Sequence, residues 1–233
     1  MKLSQEQINR LYDFTKQHYV EWYDLQTELV DHLANSIEAQ WRENPKISFE
    51  EALQLEFKKF GVFGFMSVVE ERQMTLGKKY NALVWQHFKT FFTLPKVMVT
   101  ATLMSFLFFV MQQYAFAAVV ITTIFILSSI VAWVVLIKHR RKNKKQSKQL
   151  GKKWMFKDII YSFGNFGGLC YLPVQIALQF PSEFEYSFVP SALISFSVVS
   201  YFLFTYIVLK IIPSKAEAYL KETYPEYELA MNM

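Results

Sequence analysis

The chain has 233 residues, a formal net charge of +5, 52% hydrophobic and 18% aromatic residues, and one cysteine, Cys170. That length accommodates one or two domains, and a lone cysteine excludes both an intrachain disulfide and a Cys-based zinc site. Residues 1–94 carry 11 Lys/Arg against 13 Asp/Glu, net −2, and the remainder carries 14 against 7, net +7. An acidic, soluble-looking front is joined to a basic, apolar back. The opening MKLSQEQINR lacks the apolar stretch of a signal peptide, so the front is expected to stay unsecreted, and neither end carries a lipid-attachment pattern.

The front reads as helix throughout, with no sustained period-two alternation. Ser4 is placed to cap a first helix whose apolar positions are Ile8, Leu11, Tyr12 and Tyr19. A second helix is expected over Glu21 to Glu43, stopped by Asn44-Pro45, because proline lacks an amide donor and restricts the residue before it. Ser48-Phe49-Glu50-Glu51 has the spacing of a capping box, in which the Ser side chain accepts from the Glu51 amide and the Glu51 carboxylate reaches back to the Ser48 amide. The third helix then carries Ala52, Leu53, Leu55, Phe57 and Phe60, with Gly61 as its left-handed terminator. A fourth begins near Gly64. Its late part, YNALVWQHFKTFF, has the aromatic and basic character of a lipid interface.

On the second helix, at about 100° per residue, Trp22, Leu25, Leu29, Leu33, Ile37 and Trp41 fill one arc. Glu21, Asp24, Glu28, Asp31, Asn35 and Glu38 fill the opposite one, and His32 lies at the border, one turn after Glu28. Three readings are open. The face is simply solvated, with His32 pairing Glu28. Or it is an electrostatic docking surface, built from Glu21, Asp24, Glu28, Asp31 and Glu38, for another protein or for a basic stretch of the same chain. Or Glu28 and His32 share a metal ion, which two ligands on one helix cannot hold unless His18 or Asp13 completes the set. No HExxH or paired-His signature is present, so no metal is expected.

A bilayer core takes roughly 20 apolar residues in helix. Four segments fit, with spans expected at 95–112, 116–137, 157–180 and 188–212. Lys210, near the end of the last, can snorkel to the surface. Gln112 to Ala115 is uncharged, and Pro181 to Ser187 holds two acids and no base. The stretch 138–153 holds nine basic residues and no acid: Lys138, Arg140, Arg141, Lys142, Lys144, Lys145, Lys148, Lys152 and Lys153. It is expected to be a cytoplasmic loop by the positive-inside rule, and an even number of spans then puts both termini in the cytoplasm. Trp133, Trp154, Tyr114 and Tyr186 are placed as interfacial aromatics. In the third span Gly164, Gly168 and Gln175 share a helical face, suited to close helix packing with a hydrogen bond from Gln175. The other reading of that span is a substrate path hinged at Pro173. With the third segment counted from Ile159 to Phe180, the spans hold no acid and no His, which ion-coupled transport would usually need.

The order Glu28, Asp31, His32, then Ser48-Phe49-Glu50-Glu51-Ala52, then a helix ending in Phe60-Gly61, resembles the HAAS-type cytoplasmic domain of bacterial membrane proteins over residues 5–75. Here Phe60-Gly61-Val62-Phe63 replaces the family's usual Leu-Gly-x-Pro turn, and the spacer before Ser48 is charged and proline-bearing. The resemblance implies a regulatory or signalling membrane protein of the kind paired with PadR-like repressors, with no enzyme activity.

The expected architecture is an all-α integral membrane protein: an N-terminal cytoplasmic helical bundle followed by four transmembrane helices. Its parts are a helical domain at 1–75, a juxtamembrane amphipathic connector at 76–96, the membrane domain at 97–212 and a cytoplasmic tail at 213–233. The expected home is the bacterial inner membrane, and the expected role is non-enzymatic regulation, signalling or scaffolding through the front domain. The rival is a small-molecule transporter or permease-like subunit centred on the third span. No acid, base and nucleophile converge in the sequence, and no cofactor is expected. The expected partners are the bilayer, anionic lipid headgroups, a cytoplasmic protein and a second copy of the chain, with no direct nucleic-acid contact.

Overall fold

The computed structural model describes residues 2–114, 116–162 and 188–231. Among these the fold is entirely helical, without a strand. The chain divides into two compact units. The first comprises Met1–Leu76, Lys145–Asp158 and Glu226–Met233, and the second Gly77–Lys144 and Ile159–Pro225.

In the first unit, α1 (Gln5–Gln17) starts in a full capping box. Ser4 Oγ accepts from the Gln7 amide, and the Gln7 side chain accepts from the Ser4 amide. Such a cap stabilises a helix by about 1 kcal/mol. The next helix, α2 (Tyr23–Glu43), packs on α1 and on α3 (Phe49–Lys58). Its apolar arc behaves as the periodicity demands: Leu25, Leu29, Leu33, Ile37 and Trp41 are buried together with Leu11, Phe14, Val20, Ala52 and Leu53. Each large side chain so buried contributes roughly 1.5–3 kcal/mol.

After α3 the chain reverses through Gly61, φ +76°, and Gly64, φ +52°. At Gly64 a side chain is excluded for a second reason, since a Cβ would lie 2.8 Å from the Phe57 ring. The turn thereby sets Phe65 into a cluster of rings with Phe14, His18, Phe57 and Phe60.

Two expected core positions are corrected here. Tyr19 adopts φ 65° beyond the end of α1 and is 77% exposed, so it does not extend the apolar face. Leu55 also faces outward, while Glu56 takes the buried position beside it. That carboxylate is matched by Lys59 at 2.6 Å and by the Gln40 amide.

Helix α4 (Met66–Lys89) is continuous, and the division between the two units falls within it, between Leu76 and Gly77. Gly77 alone costs a helix only about 1 kcal/mol and does not break it.

In the second unit, α5 (Lys96–Gln113) packs on α8 (Phe188–Tyr206), which continues through a π turn, Ile207–Ile211, to Ser214. Helix α6 (Ala117–Leu150) runs on where a loop was expected from Lys138. The reason is compositional. Lys, Arg and Gln are good helix formers, and nothing stops the helix before Gly151, φ +63°. The three helices Lys96–Gln113, Val119–Leu150 and Phe188–Ser214 are long and apolar enough to cross a membrane. Their outward sides are apolar: Phe106, Leu127, Val131 and Leu193 are each more than half exposed, a surface that water does not favour.

Polar groups on these helices pair with one another. Ser129 and Tyr201 share a hydrogen bond of 2.8 Å, and Gln112 Nε2 donates to Ser191 Oγ at 3.2 Å. The expected tail is itself helical at Ala216–Thr223 and Tyr227–Met231. Of the expected third span, only its entry lies in a described helix, α7 (Met155–Ser162). Gly164, Gly168, Pro173 and Gln175, with the acidic stretch Pro181 to Ser187, lie outside the described residues.

Candidate functional site

The first turn of any helix leaves backbone amides without intrahelical acceptors. In α2 no side chain caps that turn. Its Tyr23 amide instead donates to the Lys153 carbonyl at 2.7 Å, so a residue 130 positions along the chain performs the capping. Asp24 returns the connection, accepting from the Met155 amide at 3.0 Å. Two backbone-directed bonds thus tie the start of α2 to the segment 153–155.

Side chains reinforce the joint. Lys153 Nζ lies 2.8 Å from Glu21 and 3.3 Å from Asp158, and 4.7 Å from the centre of the Trp22 ring. Trp22 Nε1 donates to the same Asp158 carboxylate at 3.4 Å. Lys152 sits over the Tyr23 ring at 5.1 Å. Below this charged rim Trp154, Met155 and Phe156 are buried, with the Trp154 ring 5.4 Å from Tyr23 and 5.0 Å from Tyr227. Burial pulls the Lys153 pKa down, but Glu21 and Asp158 together outweigh it and hold the ammonium above its ordinary value.

The acids expected on one wet face have different fates. Asp24 is buried, which corrects its assignment to that face. Glu21 is taken by Lys153. Glu28 is exposed and lies 3.8 Å from Arg72, and exposed Asp31 accepts from Asn35 at 3.2 Å. Glu38 accepts from the Leu3 amide at 3.0 Å. His32 is exposed, its ring 6.0 Å from that of Phe60. His18, one of the two residues that could complete a metal set with Glu28 and His32, donates from Nδ1 to the Phe14 carbonyl and packs against the rings of Phe14 and Phe57. Among the described residues no three His, Cys, Asp or Glu side chains are grouped to hold a metal.

The basic residues divide as well. Lys152 and Lys153 are in the joint. Lys138, Arg140, Arg141, Lys142, Lys144, Lys145 and Lys148 are exposed along α6 and make no ion pair with described residues. Trp154, expected in an interfacial belt, belongs to the interior of the first unit. Sequence reasoning missed Asp158 and Arg72 as partners of the acidic helix. The available signal was the apolar triplet Trp154-Met155-Phe156 directly after two lysines, a buried anchor beside a polar rim.

Comparison with protein-family models, with curated proteins and with solved structures finds no match.

Proposed function

We propose that this is a multi-pass membrane protein of the bacterial inner membrane whose N-terminal helical unit has a regulatory, signalling or scaffolding role on the cytoplasmic side. The observation that carries the topology is the make-up of the first unit. Met1–Leu76, Lys145–Asp158 and Glu226–Met233 belong to one compact body, and a compact body lies on one side of a bilayer. The chain then crosses an even number of times between Leu76 and Lys145, which α5 and α6 supply. It also crosses an even number of times between Asp158 and Glu226. Phe188–Ser214 is one candidate there, and the apolar sequence up to residue 180, outside the described residues, is the other. Four crossings with both termini inside satisfy this parity, and the basic residues of α6 select the cytoplasm as that side.

The regulatory reading rests on the joint at α2. The segment that leads from α6 towards the expected third span is the one bonded to Glu21, Tyr23 and Asp24. A partner protein that engages the exposed acids Glu28 and Asp31 acts on the same helix. Reporter fusions after Gln113 and at Met233 should read exterior and cytoplasm respectively, and an exterior C-terminus overturns the topology. For the role, Glu28→Gln with Asp31→Gln should leave the fold intact and weaken recovery of a partner cross-linked in native membranes. That association should also weaken as salt rises, because exposed charges are screened. Salt-insensitive association unchanged in the double variant overturns the docking role.

A further inference from the structure

In the second unit, His87 and Tyr219 meet, with a lysine one turn or less from a neighbour of each. His87, late in α4, has its Nε2 2.7 Å from the hydroxyl of Tyr219. Lys215 precedes Tyr219 by one helical turn, and its carbonyl accepts the Tyr219 amide at 3.1 Å. Phe91 follows His87 by one turn. Lys96 Nζ lies over its ring at 5.1 Å, and Thr100 Oγ1 donates to the carbonyls of both Phe91 and Lys96, each at 3.1 Å.

Both lysines are exposed, and neither is ion-paired among the described residues. Glu222, the acid one turn beyond Tyr219, is engaged by Lys79 at 3.3 Å. Burial, then Lys215, then Lys96 push the His87 pKa below its ordinary value, as desolvation and like charge both do.

We propose that Lys96, Lys215, His87 and the Tyr219 hydroxyl bind the phosphate of an anionic phospholipid headgroup. The ligand chemistry follows from the donors, two ammonium groups without an ion pair among the described residues and two polar groups, while the nearby acid, Glu222, is held by Lys79. The lipid source follows from the surroundings. Trp85 is stacked on Phe88 at 5.3 Å, Phe92 and Leu94 are exposed, and Lys96 opens an apolar helix of spanning length. Aromatic rings and lysines at the start of a span match the headgroup layer. The inference rests on the membrane reading above.

The test uses the full chain in neutral detergent, titrated with phosphatidylglycerol or phosphatidylcholine, with retained lipid measured by native mass spectrometry. Phosphatidylglycerol should be retained in preference. Lys96→Gln with Lys215→Gln should weaken it roughly thirtyfold, and Lys96→Arg with Lys215→Arg should restore it. Lys144→Gln with Lys145→Gln should leave it nearly unchanged. Helix content measured on each variant keeps a folding defect apart from a binding one. As a second readout, phosphatidylglycerol should raise the His87 pKa in an NMR titration, because the headgroup offsets the two lysines. Equal retention of the two lipids, or full retention by the Gln pair, overturns the proposal. Displacement of the lipid by millimolar inorganic phosphate assigns the site to a soluble phosphate and overturns the lipid source. Loss of the chain from the membrane fraction defeats the membrane reading, whereas a membrane-embedded chain that does not discriminate lipids defeats only the site.

Discussion

Lys153 in the first unit and the pair Lys96 and Lys215 in the second carry the same charge on the same kind of side chain, in opposite settings. Lys153 sits between Glu21 and Asp158, which hold its ammonium protonated against the cost of burial. Burial, with Lys215 and Lys96 adding to it, pushes the His87 pKa below its ordinary value. The first arrangement is satisfied internally and serves the fold. In the second, neither lysine has an ion pair among the described residues. Net charge does not separate the two, because what matters is whether a carboxylate reaches the cation.

The largest test of this contrast is Trp154→Ala. The side chain is 2% exposed, and emptying such a site costs about 3–5 kcal/mol. Hydrogen exchange across α2 should accelerate accordingly, whereas Trp85→Ala, at a half-exposed ring, should change exchange there little. Protection of α2 unchanged by Trp154→Ala would mean that segment 153–156 does not support the helix. Next in size is Asp24→Ala, which removes the acceptor of the Met155 amide. A buried group left so costs about 1–3 kcal/mol, measured by the same exchange, and Asp24→Asn, which keeps an acceptor, should recover most of it.

Lys153→Met should cost less, about 1 kcal/mol or below, because the pair is partly open to solvent. Its signature is in pH. A base whose folded pKa is raised contributes its full stability below the unfolded value of about 10.4 and loses it as the pH climbs through the higher folded value. Wild type should therefore soften in that alkaline window, and Lys153→Met should not. The smallest effect belongs to His87, whose folded pKa is lowered. Its contribution is intact above about 6.5 and declines as the pH falls from there toward the folded value. Thermal melts at descending pH should show a small loss in wild type that His87→Gln lacks.

Periodicity read the core of α2 because Leu25, Leu29, Leu33 and Ile37 recur at helical spacing and a helix buries what it presents on one face. The caps at Ser4 and Ser48 were legible because capping acts over three residues. Three apolar stretches were legible for the same local reason. Asp24 was misread because the same wheel that puts it opposite the leucines says nothing of what a distant segment places there. The end of α6 was misread because dense charge signals a polar environment but not a break in the helix. The joint with Lys153 and the cluster at His87 depend on chain reversals that bring residues about 130 positions apart to bonding distance, and no local pattern encodes those.

The first unit is assembled from segments separated in the chain, and this bears on how the protein is made. Its front helices leave the ribosome early, but the residues that cover Trp154 begin at Glu226. At ~5–20 residues per second, roughly 8–30 s pass between synthesis of Leu76 and synthesis of the segment that completes the unit. Until that segment arrives, the side of Trp154 that Tyr227 covers is open. A chain released early would therefore keep an exposed apolar surface by which quality-control proteases tell it from a finished molecule.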